Sequence, residues 1–287
     1  LPTGSYVSGL DANQGAITYN SIEVDEDGEY VLTINIKKKG AYEKYLIAKI
    51  NDDEEYEILF PPQKTPNVTA RFQVIVRLKQ GRNVIKLFNP VTSNADSEMY
   101  QYIRMGKALQ KATAKVAKER KQKEKPIVFS ICEWGWGKPY NWGAKAGNLW
   151  RTTPDIRPWW WWIKLIYEHT VKLYKYASKG HYNDPDMLEV GNGKLSYNQN
   201  VSHFSLWCMM NAPLILGNDL RNMSDQVKSI VTNRNMIAIN QDPLAKQAKR
   251  VKKGAVDVLA KPLADGSTAL CFFNKSSHGA SVKFNLN

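Results

Sequence analysis

Residues 126–155 read PIVFSICEWGWGKPYNWGAKAGNLWRTTPD, and their surroundings decide the fold. PIVFSIC (126–132) is a short apolar run between a lysine-rich stretch and a glycine-rich one, which reads as a buried strand. A helix beginning near Ser97 leads into it, and WWIKLIYEHTVKLYKYA (161–177) continues as a second helical segment. Beyond lie a loop with HYNDPDML (181–188), a helix YNQNVSHFSLWCMMNA (197–212), a strand PLILGND (213–219) and a helix from about Ser224 to Thr232. Strands alternating with helices of this length predict parallel βαβ units.

Outward from this centre the texture changes on both sides. Toward the N-terminus, GEYVLTINIKK, KYLIAKIND, EYEILFPP, TARFQVIVRL and NVIKLFN are β-type runs separated by DEDG, KKKG, PPQKTPN and KQGRN. In the first of them Val31, Thr33 and Asn35 alternate with Leu32, Ile34 and Ile36, the period-two pattern of a half-buried strand. Several such strands at short intervals predict an antiparallel β-sandwich over residues 1–92. From about residue 251, AVDVLAKPL, a DGS turn and TALCFFN return to β. The expected class is therefore α/β plus all-β, with an α/β part over 93–250 and the start of an antiparallel β domain over 251–287.

Composition narrows the function. An apolar content of 43% and a charged content of 23% suit a globular chain, and no run of 18 apolar residues is present to cross a membrane. Leu1 is not followed by a basic-then-apolar leader, as expected where a signal peptide has been removed or not included. Cys132, Cys208 and Cys271 are odd in number and have no metal-ligand spacing, so they read as small buried hydrophobes. The formal charge of +13 raises the question of nucleic acid. Much of it lies in KALQKATAKVAKERKQKEK (107–125), where Lys107, Lys111, Lys115 and Lys118 recur at helical spacing opposite Met105, Ala108, Leu109, Ala112 and Val116. That is a solvated helix face. No nucleic-acid-recognition motif accompanies it, and no nucleic-acid partner is expected.

Chemistry concentrates where predicted strands end. All nine tryptophans fall between Trp134 and Trp207, many just after a strand. Strand C-termini form the active-site face of an α/β barrel, and indole rings there suit the C–H face of a sugar. Glu133, Asp155, Asp184 and Asp186 occur at the same kind of position. Singly each is most often a cap or turn residue. Together, with tryptophans beside them, they suggest a polar pocket with an aromatic wall. Glycoside hydrolysis needs one carboxylic acid to protonate the leaving oxygen and one carboxylate opposite it, and spacing does not say which residue has which role.

PIVFSICEWGWGKPYNWGAKAGNLWRTTPDI, GHYNDPDMLEVGNG, SHFSLWCMMNAPLILGNDL and IAINQDPLAKQ closely resemble glycoside hydrolase family 27, the α-galactosidases and α-N-acetylgalactosaminidases. The resemblance runs from about residue 97 to residue 287. It implies the second half of a (β/α)8 barrel, strands five to eight, followed by the start of a C-terminal β-sandwich. The family's Arg-x-x-x-Asp pattern falls on Arg151 and Asp155, which implies that Asp155 is the acid/base and that Arg151 bonds ring hydroxyls near C2. Glu133 and Trp134 match sugar-contacting residues, and Trp136 matches the loop position that separates a 2-hydroxyl from a 2-acetamido group. A bulky Trp136 and an acidic Glu133 favour the hydroxyl substrate. Asp186 and Met187 match residues that border the pocket. The resemblance implies a retaining enzyme acting on α-galactosides without metal or other cofactor, secreted or periplasmic.

Two departures stand beside these matches. No residue corresponds to the strand-four nucleophile in its Lys-x-Asp-x-Cys segment, so these 287 residues are expected not to hydrolyse substrate by themselves. Residues 1–92 precede the helix that follows strand four, so they read as an insertion into the barrel, similar to modules that often bind carbohydrate. A non-catalytic carbohydrate-binding protein is the alternative, and the related α-N-acetylgalactosaminidase and β-L-arabinopyranosidase activities stand beside it.

Overall fold

The computed structural model describes residues 7–10, 15–37, 44–52, 54–61, 69–91 and 94–285, with backbone alone for 94–97. Most of the turn segments KKKG and PPQKTPN lie outside the described residues. The chain divides into two compact units, Leu1–Ser97 and Glu98–Asn287.

The first unit is antiparallel throughout its described strands. β1 (Ala16–Val24), β6 (Gly81–Phe88), β3 (Lys44–Ile50) and β4 (Glu54–Phe60) form one sheet in that order, and β2 (Gly28–Lys37) pairs with β5 (Thr69–Leu78) in another. The alternation in β2 has the expected consequence. Tyr30, Leu32, Ile34 and Ile36 pack against a core that includes Leu46, Ile58, Phe60, Val76 and Leu87, while Val31 stays exposed. Both sheets contribute to that one core. Buried Asn83 accepts from Lys79 N–H at 3.0 Å and returns its amide to Lys79 O at 2.7 Å, which closes the KQGRN turn around Gly81.

The second unit opens with α1 (Asn94–Glu119), followed by three short parallel strands in sequential order: β7 (Ser130–Ile131), β8 (Leu149–Arg151) and β9 (Tyr182–Asp184). A parallel bridge between Leu188 and Leu216 follows β9. α2 (Trp160–Thr170), α3 (Tyr197–Met209), α4 (Asp225–Val231) and α5 (Arg234–Asn240) complete the α/β part. A three-stranded antiparallel sheet follows: β10 (Lys249–Lys252), β11 (Val256–Pro262) and β12 (Thr268–Asn274). One core joins these layers, with Ile163, Ile166 and Tyr167 of α2 against Phe204, Trp207 and Cys208 of α3 and Leu259 and Phe273 of the last sheet. α3 starts at a capping box in which Ser196 and Gln199 satisfy each other's backbone N–H groups. No helix among the described residues is long and apolar enough to cross a membrane.

Four sequence expectations come out differently, the first being Cys132, which is exposed where a buried hydrophobe was expected. PIVFSIC pairs only at Ser130 and Ile131, and Ile127 and Val128 are exposed. PLILGND contributes only the Leu216 bridge. On α1 most of the residues opposite the lysines are not packed: Met105, Ala108, Ala112 and Val116 are exposed, while Leu109 is half-buried. The helix docks through Met99, Tyr102 and Ile103 onto Ile131, Trp142, Ala146 and Trp150. Gly106 sets that face: a Cβ there would come within 1.9 Å of the Ala146 carbonyl oxygen, so only glycine lets the backbones approach so closely.

A buried ionic cluster ties α2 to the last sheet. Arg250 on β10 contacts Glu168 at 2.8 Å and Asp257 at 2.9 Å, Lys275 contacts Asp257 at 2.9 Å and Glu168 at 3.2 Å, and Tyr167 donates to Asp257 at 2.9 Å. Burial works against the Asp257 charge, but the Gly254 N–H, Lys275, Arg250 and Tyr167 outweigh it and hold the carboxyl below its ordinary value. Removing one partner of a buried pair leaves the others uncompensated. Asp257→Ala is therefore expected to cost about 3–5 kcal/mol in denaturant unfolding. The stabilisation from a depressed carboxyl is present above its unfolded value near 3.8 and is lost as pH falls through the lower folded value. A loss below about 1 kcal/mol would show that the cluster is dispensable.

Candidate active site

β7, β8 and β9 run parallel, so their C-terminal ends deliver residues to one edge. Arg151 is the last residue of β8, pairs with Asp184 of β9 in register, and is buried. Its Nη2 contacts Asp186 Oδ2 at 2.7 Å, Asp155 Oδ1 at 3.2 Å and the Thr153 carbonyl at 3.2 Å. One guanidinium thus links two carboxylates from the loops after adjacent strands. Their exposures differ: the Asp186 side chain is 10% exposed and that of Asp155 is 51% exposed. Asp155 is the open carboxylate of the pair, while Asp186 and Arg151 each present only a tenth of their side chains.

Asp186 is held from several sides. Its backbone sits at φ +81°, a costly conformation for a side-chain-bearing residue. Asp186 N–H donates to Asp184 Oδ1, Ile156 N–H to Asp186 Oδ2, and Met187 N–H to Asp186 Oδ1, each at 2.8 Å. The buried Trp207 indole donates to the Asp186 carbonyl at 2.8 Å. The bond from Ile156 fixes the backbone beside Asp155, and Trp162 Nε1–H donates to the Asp155 carbonyl at 2.9 Å.

The loop after β7 comes against the same edge. Gly135 N–H donates to the Arg151 carbonyl at 3.1 Å, and a Cβ on Gly135, at φ +81°, would lie 2.2 Å from the Thr152 carbonyl oxygen. Glycine is required at that approach. Glu133 is half-buried, while Trp134 and Trp136 are exposed, Trp136 by 70%. Burial pushes the Glu133 carboxyl up to about 7, helped by the hydrogen bond and charge of Glu98 on α1 and opposed by a hydrogen bond from Tyr102. Burial likewise raises Asp184 to about 6, with the Asp186 charge adding and the Asp186 N–H and Arg151 subtracting. Arg151 Nε and Thr153 Oγ1 are buried without a hydrogen-bond partner among the described residues.

The sequence model of the melibiase family, described as alpha galactosidase A, matches residues 80–242. The chain belongs to this family. It is 43% identical over 172 residues to alpha-galactosidase A of Cellvibrio japonicus, covering 56% of this chain and 42% of that one. With the alpha-galactosidase of Cyamopsis tetragonoloba the identity is 44% over 159 residues, 55% of this chain and 39% of the relative. The Saccharomyces cerevisiae alpha-galactosidase structure with raffinose matches with a TM-score of 0.54 at 27% identity, over 64% of this chain and 45% of that one. Over that portion this melibiase-family chain shares the α/β fold of its solved relatives. The chain spans about two fifths of the length of the curated relatives it matches.

Of the residues singled out from the sequence, Arg151, Asp155 and Asp186 are in direct contact. Glu133 and Trp134 lie on the β7 loop that bonds to Arg151, and Met187 lies next to Asp186 over Gly217, 40% exposed. Trp136 is on the same loop, but no contact brings its ring to Arg151. Sequence reading missed Asp184 as the acceptor for Asp186 N–H, and Trp162 and Trp207 as indole anchors. Period-two spacing in NDPD was the available signal for Asp184; the indole anchors left none.

A raised carboxyl stabilises the fold at low pH and loses that contribution as pH climbs from about 3.8 to about 6. Asp184→Asn keeps an acceptor for Asp186 N–H but cannot ionise. The stability of the variant relative to wild type should therefore rise over that interval and level off above it. A pH-independent difference in thermal unfolding would refute the raised carboxyl.

Proposed function

We propose that this chain supplies the sugar-holding and proton-donating part of a retaining exo-α-galactosidase. The observation that carries the proposal is the Arg151 guanidinium shared between exposed Asp155 and buried Asp186 at the ends of β8 and β9. In this reading Asp155 protonates the departing glycosidic oxygen as the galactosyl carbon is captured by a second carboxylate. Asp155 then takes a proton from the water that releases galactose. Retention of configuration places that second carboxylate roughly 5 Å from the acid/base. None of the 287 residues matches it, so turnover requires a carboxylate supplied from outside them.

Arg151 bonds hydroxyls near C2 in this proposal, and Glu133, Trp134, Asp186 and Met187 border the ring. Trp136, exposed on the β7 loop, limits the space beside C2. The raffinose present with the yeast relative supports a galactoside ligand. The finer architecture follows the same reading. β7, β8, β9 and the Leu216 bridge become strands five to eight of a (β/α)8 barrel, and exposed Ile127, Val128 and Ile215 mark edges that the rest of the barrel would cover. The two antiparallel sheets over residues 1–92 become an inserted sandwich, and β10–β12 the start of a C-terminal sandwich over 251–287.

In a protein that also carries the second carboxylate, Asp155→Asn should slow hydrolysis of poorly activated α-galactosides about 10²–10⁴-fold. A near wild-type kcat/KM on such substrates would remove Asp155 from the acid/base role.

Selectivity gives an independent check. Glu133→Ser with Trp136→Ala should shift the ratio of kcat/KM values toward 2-acetamido substrates, and an unchanged ratio would refute the specificity role of these two side chains.

A further inference from the structure

Trp159, Trp160, Trp161 and Trp162 occupy the N-cap and first three positions of α2. Those are the positions where Ser, Thr, Asp or Glu would satisfy or complement free backbone N–H groups. Here no side chain caps the helix and no acid lies in its first turn. Burial explains half of the run, because Trp160 and Trp162 pack against the core of the second unit. It does not explain Trp159 and Trp161, which are 52% and 56% exposed.

The two exposed rings form one surface. Residues two apart on a helix face away from each other, but Trp159 is extended, at φ −115° and ψ 120°, and so turns onto the side of Trp161. Their ring centroids lie 5.8 Å apart with planes 16° from parallel. Trp161 meets Trp162 edge to face at 5.4 Å, and the Trp162 indole is bonded to the Asp155 carbonyl. A chain of contacts therefore runs from the stacked pair to the backbone of the proposed acid/base.

We infer that Trp159 and Trp161 form a binding platform for the saccharide on the leaving side of the scissile bond. The inference rests on the proposed role of Asp155. The acid that protonates the glycosidic oxygen faces the leaving group by necessity, and through Trp162 the two rings are joined to the backbone of that same residue. The outer face of a stacked indole pair matches the C–H face of a pyranose. Aromatic side chains supply contact area at low entropic cost. The substrate class is thus an α-galactoside whose leaving group is itself a sugar chain.

Calorimetry on the full 287-residue chain tests this, with galactose, raffinose and a galactosylated manno-oligosaccharide as probes. The oligosaccharides should bind about tenfold more tightly than galactose, the worth of one good aromatic contact. Trp159→Ala with Trp161→Ala should bring that ratio to about one with galactose affinity unchanged, and Trp159→Phe with Trp161→Phe should restore most of it. Arg151→Ala should abolish galactose binding in the wild-type platform background. If galactose binds but the oligosaccharides gain nothing, or the double alanine variant keeps the preference, the platform falls and the galactoside reading stands. If no probe binds, both fall. Self-association through this face, seen by sedimentation and lost in the double alanine variant with the preference unmoved, would assign the rings to a second copy and overturn the platform.

Discussion

The architecture of the site depends on one buried cation. Taking a guanidinium out of water is costly unless close anions and acceptors repay it. Arg151 is repaid by Asp186 at 2.7 Å, by Asp155 at 3.2 Å and by the Thr153 carbonyl. The repayment is unequal. Asp186 gives the short buried contact and keeps its other bonds to backbone N–H groups. Asp155 gives a longer contact from a side chain that is half in solvent. The arrangement leaves Asp155 oriented but available, as its proposed acid/base role requires.

The helix after β8 secures the same loop from its two ends. At its start, the Trp162 indole is bonded to the Asp155 carbonyl. Near its end, Tyr167 and Glu168 enter the cluster with Asp257, Arg250 and Lys275. The first anchor joins residues seven apart and the second joins residues 90 apart, so α2 is fixed to the loop and to the antiparallel sheet at once. Rigid elements hold reacting groups more closely than loops do, and a small misplacement of an acid/base is expensive. The ionic cluster therefore bears on the site through the position of α2.

What the sequence revealed and what it concealed separate along physical lines. Alternation in residues 30–36 announced which side chains face the core of the first unit, because strand faces follow period two whatever the partner strand is. Arg151 and Asp155 were legible because their spacing and neighbours form a long, unusual motif. Strand length was not legible: PIVFSIC has the apolar content of a full strand, yet only Ser130 and Ile131 find a ladder partner, and pairing depends on a neighbouring strand that apolar content does not reveal. The packed face of α1 was hidden for a similar reason. The lysine pattern pointed to Met105 and Val116 as the inner side, but the close approach of Gly106 to Ala146 turned Tyr102 and Ile103 inward. The bonds from Trp162 and Trp207 join residues whose proximity exists only after folding.

The tryptophan run shows how far such reading can be carried once burial is known. From sequence alone, four consecutive tryptophans could all be core or could all be surface. In the folded chain two of them account for packing, and the packing half also places the other two, because Trp162 is at once a core residue, the neighbour of Trp161 and the donor to Asp155. A cap position given to Trp159 forgoes a local hydrogen bond that Ser or Asp would have made. The stacked pair gains only partial burial in exchange, since both rings remain more than half exposed. Partial burial and mutual stacking leave that much indole surface unaccounted for by packing, which is the ground for the proposed ligand beside Asp155.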